Sequence, residues 1–260
     1  MILPGTYANG FAPRDGRPLY ESLWKGCVGA WNPGLGVTGL TLRDQSRFQN
    51  TGTLTNGPTW AASSGKYALS FDGTNDHVIV SHAQSFVVSR LTLAAWLYVN
   101  TNTNNDAYFG KTTSTSWNDG FGLDTYYTTG KLNFWVNGYN TGNARDANTI
   151  QLGKWFHVSG TYDGAAVKIY IDGKETGSRA YSTAISNSSQ VLTFGQMSDA
   201  AYNCDGNTDD IRIYNRALSA QEIRTLATRR GIAYELAPRR RSSSAVTTNR
   251  RRRIIIGGNR

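Results

Sequence analysis

The sequence predicts an all-β protein: a two-sheet antiparallel β-sandwich with one short C-terminal helix and extended terminal arms. Short apolar segments recur with a polar residue at every second position, the pattern of strands that bury one face and expose the other. Asn-Gly and Asp-Gly pairs follow several of these segments and supply the positive φ that tight hairpin turns require. No regular strand-then-helix alternation runs through the chain, which argues against a parallel α/β sheet.

Residues 1–39 are rich in glycine and proline, and their only apolar island is 24–31, where Val28 and Ala30 fit an edge strand reached by an N-terminal arm. In LTLAAWLYV, Leu91, Leu93, Ala95, Leu97 and Val99 fall on one face of a strand and Trp96 and Tyr98 on the other, as expected for a central strand. Leu132, Phe134 and Val136 alternate before Asn137-Gly138, and Val167, Ile169 and Ile171 before Asp172-Gly173. Further strands are expected at 155–162, 191–195 and 210–214. Ser219 followed three residues later by Glu222 forms a capping-box signature, with Ile223 and Leu226 as a short apolar stripe, so one helix is expected there. The organisation read from this pass is an arm over 1–23, a sandwich over 24–230 and a tail over 231–260.

The formal charge of +9 is concentrated in that tail. Beyond Pro238 stand Arg239, Arg240, Arg241, Arg250, Arg251, Arg252, Arg253 and Arg260 with no acidic residue among them, which leaves the rest of the chain close to neutral. The tail arginines could meet phosphates, but no aromatic residues interleave them for base stacking. They read as an arm that anchors a partner in an oligomer or virion, rather than as a nucleic-acid site. The isoleucines 254–256 look like a strand able to pair with such a partner. Cys27 and Cys204 are too few for a disulfide framework and lack zinc-site spacing; whether they pair is left open. The N-terminal residues do not have the pattern of a secretory leader, and no apolar run approaches the length of a membrane span. The expected setting is an extracellular surface or a virion.

The segments GLTLRDQSRFQNTGTLTN, YALSFDGTNDHVIV, LTLAAWLYV, GKWFHVSGTYDGAAVKIYIDGKETG and DDIRIYNRALSAQEI, in this order, resemble the laminin-G-like family of the concanavalin A-like lectin and glucanase superfamily. The resemblance covers about 24–230. It implies a jelly roll, often with one bound calcium, used in carbohydrate-binding, adhesion and accessory modules. The arm and tail are similar to additions on free-standing members from phages and environmental bacteria.

The resemblance also implies a metal site in which Asp72, from the FDG turn with Gly73, Asn75 and Asp76, lies close to Asp209 or Asp210 and shares a structural calcium. The plainer alternative is an Asp-Gly turn and a pair of solvated strand-end acids. On a regular strand, Asp209 and Asp210 would point to opposite faces. Aromatic rings and hydroxyl-binding groups suited to a glycan concentrate between residues 100 and 146, and include Asn105, Asp106, Trp117, Asp119, Tyr126, Tyr127, Trp135 and Tyr139. The alternative is that several of these rings complete the core. His157, among bulky apolar neighbours in WFHV, reads as a satisfied interior histidine rather than a base or ligand. The Glu-x-Asp-x-x-Glu run of the retaining glucanases is missing, so no catalytic site is expected. The function expected is a non-catalytic binding or adhesion module for a carbohydrate or cell-surface glycan, stabilised by calcium. The alternative is a structural virion or assembly protein whose terminal arms lock neighbouring copies.

Overall fold

The computed structural model describes residues 14–63, 65–102, 106–113, 117–126, 129–197 and 202–238. Its strands are β1 (Arg14–Pro18), β2 (Cys27–Trp31), β3 (Thr41–Leu42), β4 (Gly52–Thr55), β5 (Thr59–Ser63) and β6 (Lys66–Asp72). There follow β7 (His77–Val80), β8 (Leu91–Val99), β9 (Ala107–Lys111), β10 (Phe121–Tyr126), β11 (Lys131–Val136) and β12 (Asn143–Thr149). The last are β13 (Trp155–Tyr162), β14 (Ala166–Ile171), β15 (Lys174–Ala180), β16 (Leu192–Phe194), β17 (Asp205–Tyr214) and β18 (Leu236–Pro238), with helix α1 (Ala220–Leu226) between β17 and β18.

Two antiparallel sheets face each other. Sheet I runs β15-β14-β13-β8-β17-β6-β5, with β2 paired to the far half of β17; sheet II runs β12-β11-β10-β9-β16-β7-β4-β3. β8 is central, as its all-apolar face requires: it pairs with β13 on one side and β17 on the other. Its five alternate apolar residues join Leu132, Phe134 and Val136 of β11 in one cluster between the sheets. Gly160 shows how close the sheets come, because a Cβ there would sit 2.1 Å from the Phe134 ring.

The turns follow the expected chemistry in part. Asp172 and Gly173, at φ 48° and 79°, close a two-residue hairpin between Ile171 and Lys174. Asn137 takes φ 55°, but the β11–β12 connection runs on to Gly142, whose carbonyl accepts from Val136 N at 2.8 Å. The two-residue turn expected there is therefore a longer loop. Helix α1 carries both halves of its capping box: Ser219 Oγ accepts from Glu222 N, and Glu222 accepts from Ser219 N.

The packing extends past the boundary expected at residue 230. Ile232, Ala233 and Tyr234 are buried, and Ala233 and Tyr234 join Leu23, Cys27, Tyr170, Tyr214 and the α1 residues Ile223 and Leu226 in a second apolar cluster on the outer face of sheet I. β1 pairs with β18 as a two-stranded ribbon. Cys27 and Cys204 are both buried free thiols. No helix among the described residues is long and apolar enough to cross a membrane.

Candidate functional site

The outer face of sheet II collects rings and polar groups into one surface. Alternation sends Phe121 and Leu123 of β10 inward and leaves Gly122, Asp124 and Tyr126 outside, opposite Trp135, Asn133 and Lys131 of β11. β12 then sets Asn143 opposite Trp135 and Arg145 opposite Asn133. Gly122 makes room for the Trp135 indole, since a Cβ there would lie 2.5 Å from the ring.

Asp124 is the hub of this face and is fully buried. Its carboxylate accepts from Trp135 Nε1 at 2.7 Å and from Asn133 Nδ2 at 3.2 Å, while Asn133 Oδ1 accepts from Asn143 Nδ2 at 2.9 Å. Burial pushes the Asp124 carboxyl well above the usual range, against the pull of the Trp135 and Asn133 hydrogen bonds. Asn143 Oδ1 in turn accepts from Arg179 at 2.8 Å.

Aromatic rings cover this network. Trp117 lies parallel to Trp135, with centroids 6.0 Å apart and planes 7° from each other, and Tyr139 and Tyr202 meet its edges at 5.2 and 5.1 Å. Tyr126 stacks on Tyr139 at 5.3 Å, and the Arg145 guanidinium sits 3.5 Å from the Tyr126 ring centroid. Trp117 holds φ at 48°, a left-handed conformation that a bulky residue adopts only when its surroundings impose it. Tyr126, Tyr139, Tyr202 and Arg145 are half-buried, so the surface is open at its rim.

The structure thus brings Trp117, Tyr126, Trp135 and Tyr139 together. Asp106 is buried and acts on the inter-sheet core instead, where its charge helps to raise Tyr108 and Cys204 after the larger effect of burial. Asp119 serves a different purpose: its Oδ1 accepts from Thr112 Oγ1, Thr113 N and Thr113 Oγ1, which fastens the β9–β10 loop. Burial opposes the Asp119 charge, but these hydrogen bonds outweigh it and hold the carboxyl low. Asn105, Tyr127 and the tail arginines Arg239, Arg240, Arg241, Arg250, Arg251, Arg252 and Arg253 lie outside the described residues. Asp124, Asn133, Asn143 and Arg145 were not singled out from the sequence. For Asp124 and Asn133 the signal was there, because each occupies the outward phase of a strand whose other phase is largely apolar; β12, with Asp146 and Asn148 alternating against Asn143 and Arg145, carries no such pattern.

The acidic residues expected to share calcium are arranged otherwise. Asp72 pairs across the sheet with Asp205, not with Asp209 or Asp210, which lie further along β17. In the turn, Asp76 Oδ2 accepts from Asp72 N, Asp72 Oδ1 from Thr74 N, and the Asn75 carbonyl from His77 Nδ1. Gly73, at φ 77°, donates its N–H to the Cys204 carbonyl. Burial, followed by the Asp72 charge, raises Asp76. Asp205 is engaged by Asn100 and Thr101 at 2.8 Å each.

Asp209 and Asp210 belong to a separate buried network. The β8–β17 register shifts between Asp209 and Arg212, and Asp210 takes φ 47°, so regular alternation fails and both carboxylates serve one ionic cluster. Asp210 pairs with Arg212 Nε at 2.9 Å and accepts from Gly231 N at 2.9 Å. Asp209 accepts from Gly34 N and Asp210 N and lies 3.7 Å from Arg230. Burial first, then the Asp210 charge, lifts Asp209 to about 7. Guanidinium groups already neutralise these acids, so this pair does not fit a calcium ligand set. Among the described residues no group of three or more His, Cys, Asp or Glu could hold a metal. His157 is interior as expected, and burial lowers it to about 3, which keeps it neutral; it is not satisfied as expected, because its Nδ1 finds no hydrogen-bond partner among the described residues.

Two facing antiparallel sheets with one outer face sealed by a helix and the other bearing an aromatic and polar surface define a jelly-roll sandwich of the lectin-like kind. A laminin-G-type family model, described as the concanavalin A-like lectin/glucanases superfamily, matches residues 72–224, more than half of the chain, and the chain belongs to this superfamily. No curated protein sequence matches it. Among solved structures, domain 4 of an extracellular arabinanase from Geobacillus stearothermophilus, in complex with arabinotriose, is similar with a TM-score of 0.65 at 19% identity, over 77% of this chain and 98% of that one. The ligand-binding domain of botulinum neurotoxin serotype D, in complex with N-acetylneuraminic acid, has a TM-score of 0.63 at 14% identity, over 80% of this chain and 52% of that one. A Trypanosoma rangeli sialidase has a TM-score of 0.60 at 19% identity, over 78% of this chain and 33% of that one. The chain thus spans about half of that toxin domain and a third of the sialidase.

Proposed function

We propose that this protein is a non-catalytic carbohydrate-binding module whose site is the outer face of sheet II. The observation that carries the reading is the layer of Trp117, Tyr126, Tyr139 and Tyr202 over Trp135 and the Asp124–Asn133–Asn143 network. Aromatic faces cover the apolar faces of sugar rings, and amides and guanidinium groups at the rim answer hydroxyls. Arginine 145 supports this, because its Nε is buried with no hydrogen-bond partner among the described residues. The complexes of the similar arabinanase domain and toxin domain with saccharides point the same way. Asp124 supports the non-catalytic part: a fully buried carboxylate with both oxygens engaged cannot reach a glycosidic oxygen. A glycan array probed with the full chain tests the reading. Binding that is weakened in Tyr126→Ala and Tyr139→Ala is expected, and an array without hits would end it.

A second reading, a structural protein of a virion or other surface assembly, is favoured by the β1–β18 ribbon, which brings both arms to one place on the sandwich. Light scattering of the full chain beside residues 14–238 tests it. A particle that falls to a monomer on trimming supports assembly through the arms; equal sizes exclude it.

A further inference from the structure

A cleft of about 290 Å³ opens between the sheets, lined from β11 and β12 by Leu132 and Asp146, whose neighbours Asn133 and Arg145 belong to the aromatic face. It lies where the end of β12 and the 150–154 loop meet the β14–β15 hairpin. Its floor is apolar: Leu132, Ile150 and Phe156 are buried and Ile171 is half-buried. Its rim is ionic and balanced, with Lys154 and Lys174 set against Asp146 and Asp172.

The rim has unused hydrogen-bonding capacity. Asp172 Oδ1 accepts from His157 N at 2.8 Å and Asp146 Oδ1 from Asn148 N at 3.2 Å, while the second oxygen of each has no partner among the described residues. Among the described residues, neither Lys154 nor Lys174 makes a side-chain hydrogen bond or ion pair there. The Thr176 hydroxyl, also in the lining, is buried without a hydrogen-bond partner among the described residues. A buried polar atom left this way costs free energy that a bound hydroxyl or water would return.

We propose that this cleft is a second binding site that takes a single uncharged sugar ring. This deepens the carbohydrate reading and rests on it. The volume is at the low end of small-molecule pockets, which suits one ring rather than a chain. The apolar floor meets a ring face, the carboxylates accept from hydroxyls, and the ammonium groups donate to ring and hydroxyl oxygens. Two cations against two anions leave no net charge to favour an ionic ligand.

The test is amide chemical-shift mapping of the full chain with D-glucose, L-arabinose and N-acetyl-D-glucosamine, each raised to millimolar concentrations. We expect shifts in residues 150–156 and 172–176 that saturate with at least one of the three sugars. Lys154→Ala and Lys174→Ala change exposed side chains and leave the fold intact; each is expected to weaken binding by about tenfold. Tyr126→Ala is expected to leave the cleft's response unchanged. Affinity is expected to vary less than about twofold between low and high salt, as a neutral ligand requires. Shifts confined to residues 117–126, 133–145 and 202 would overturn the cleft and leave the aromatic face standing. Shifts in the cleft alone would support it and remove the aromatic face. Silence at both with all three sugars, or steep weakening with salt, would overturn the proposal.

Discussion

The outer faces of the two sheets carry similar material and use it differently. On sheet I, Arg212, Asp210, Asp209 and Arg230 lie under the protein's own chain, where α1 and residues 231–234 pack over them and Trp24 and Tyr234 flank the Arg212 guanidinium at 4.6 and 4.5 Å. On sheet II, Asp124, Asn133 and Asn143 form a comparable network, covered by the buried Trp117 and the half-buried Tyr126, Tyr139, Tyr202 and Arg145. The first face spends its charges fastening a terminal segment to the sandwich: Gly231 N meets Asp210, and Lys66 donates to the Arg230 carbonyl at 2.6 Å. The second buries its network too, but leaves the covering Tyr126, Tyr139, Tyr202 and Arg145 partly exposed. A polar cluster sealed by its own chain is a structural joint, and one left under partly exposed rings can bind.

The largest effect expected separates the faces by stability. Arg212→Met leaves Asp210 charged, buried and unpaired, so unfolding in urea should show a loss of about 3–5 kcal/mol. A loss under about 1 kcal/mol would mean that this network fastens nothing. Next comes affinity: Tyr126→Ala and Tyr139→Ala should each weaken glycan binding by about tenfold while costing less than about 1 kcal/mol of stability. If stability fell and binding did not, the open face would be a joint as well.

A smaller effect is the pH dependence of the sealed face. Asp209 is near 7 in the folded chain and near 3.8 unfolded, so the folded state holds the proton more tightly. Its contribution is greatest below about pH 4 and is lost as pH rises through about 7. Asp210 opposes the Asp209 charge, while Arg230, and Lys66 through its own coupling to Asp209, favour it. Asp209→Asn should therefore flatten the fall in Tm between pH 4 and 7; an unchanged slope would locate the titration elsewhere. The smallest effect concerns metal: with Asp209 and Asp210 neutralised by guanidinium groups, added calcium or chelator should move Tm by less than about 1 °C. A larger rise with calcium, abolished by Asp76→Asn, would place an ion in the Asp72–Asp76 turn.

Much of this was legible in the residues. Alternation marked β8, β11 and β14, Asp172-Gly173 marked its hairpin, and Ser219 with Glu222 marked α1, because each is a local rule acting over a few positions. Trp117, Tyr126, Trp135 and Tyr139 were legible as a group by composition. The partnership of Asp72 was not, because strand register settles it: β17 sets Asp205 opposite Asp72 and carries Asp209 and Asp210 further along. Nor was the shared cluster of the two acids, since a register shift with Asp210 at positive φ breaks the rule that neighbours on a strand face apart.

By itself the sequence determined that the chain is a double-layered antiparallel sandwich with a capped helix, since burial periodicity and turn chemistry are properties of neighbouring residues. Only the tertiary structure decided which outer face is sealed and which is left open. That choice depends on where residues 229–238 lie down and on which arginine reaches which acid, contacts between positions as distant as Leu23 and Arg212 that no local pattern encodes.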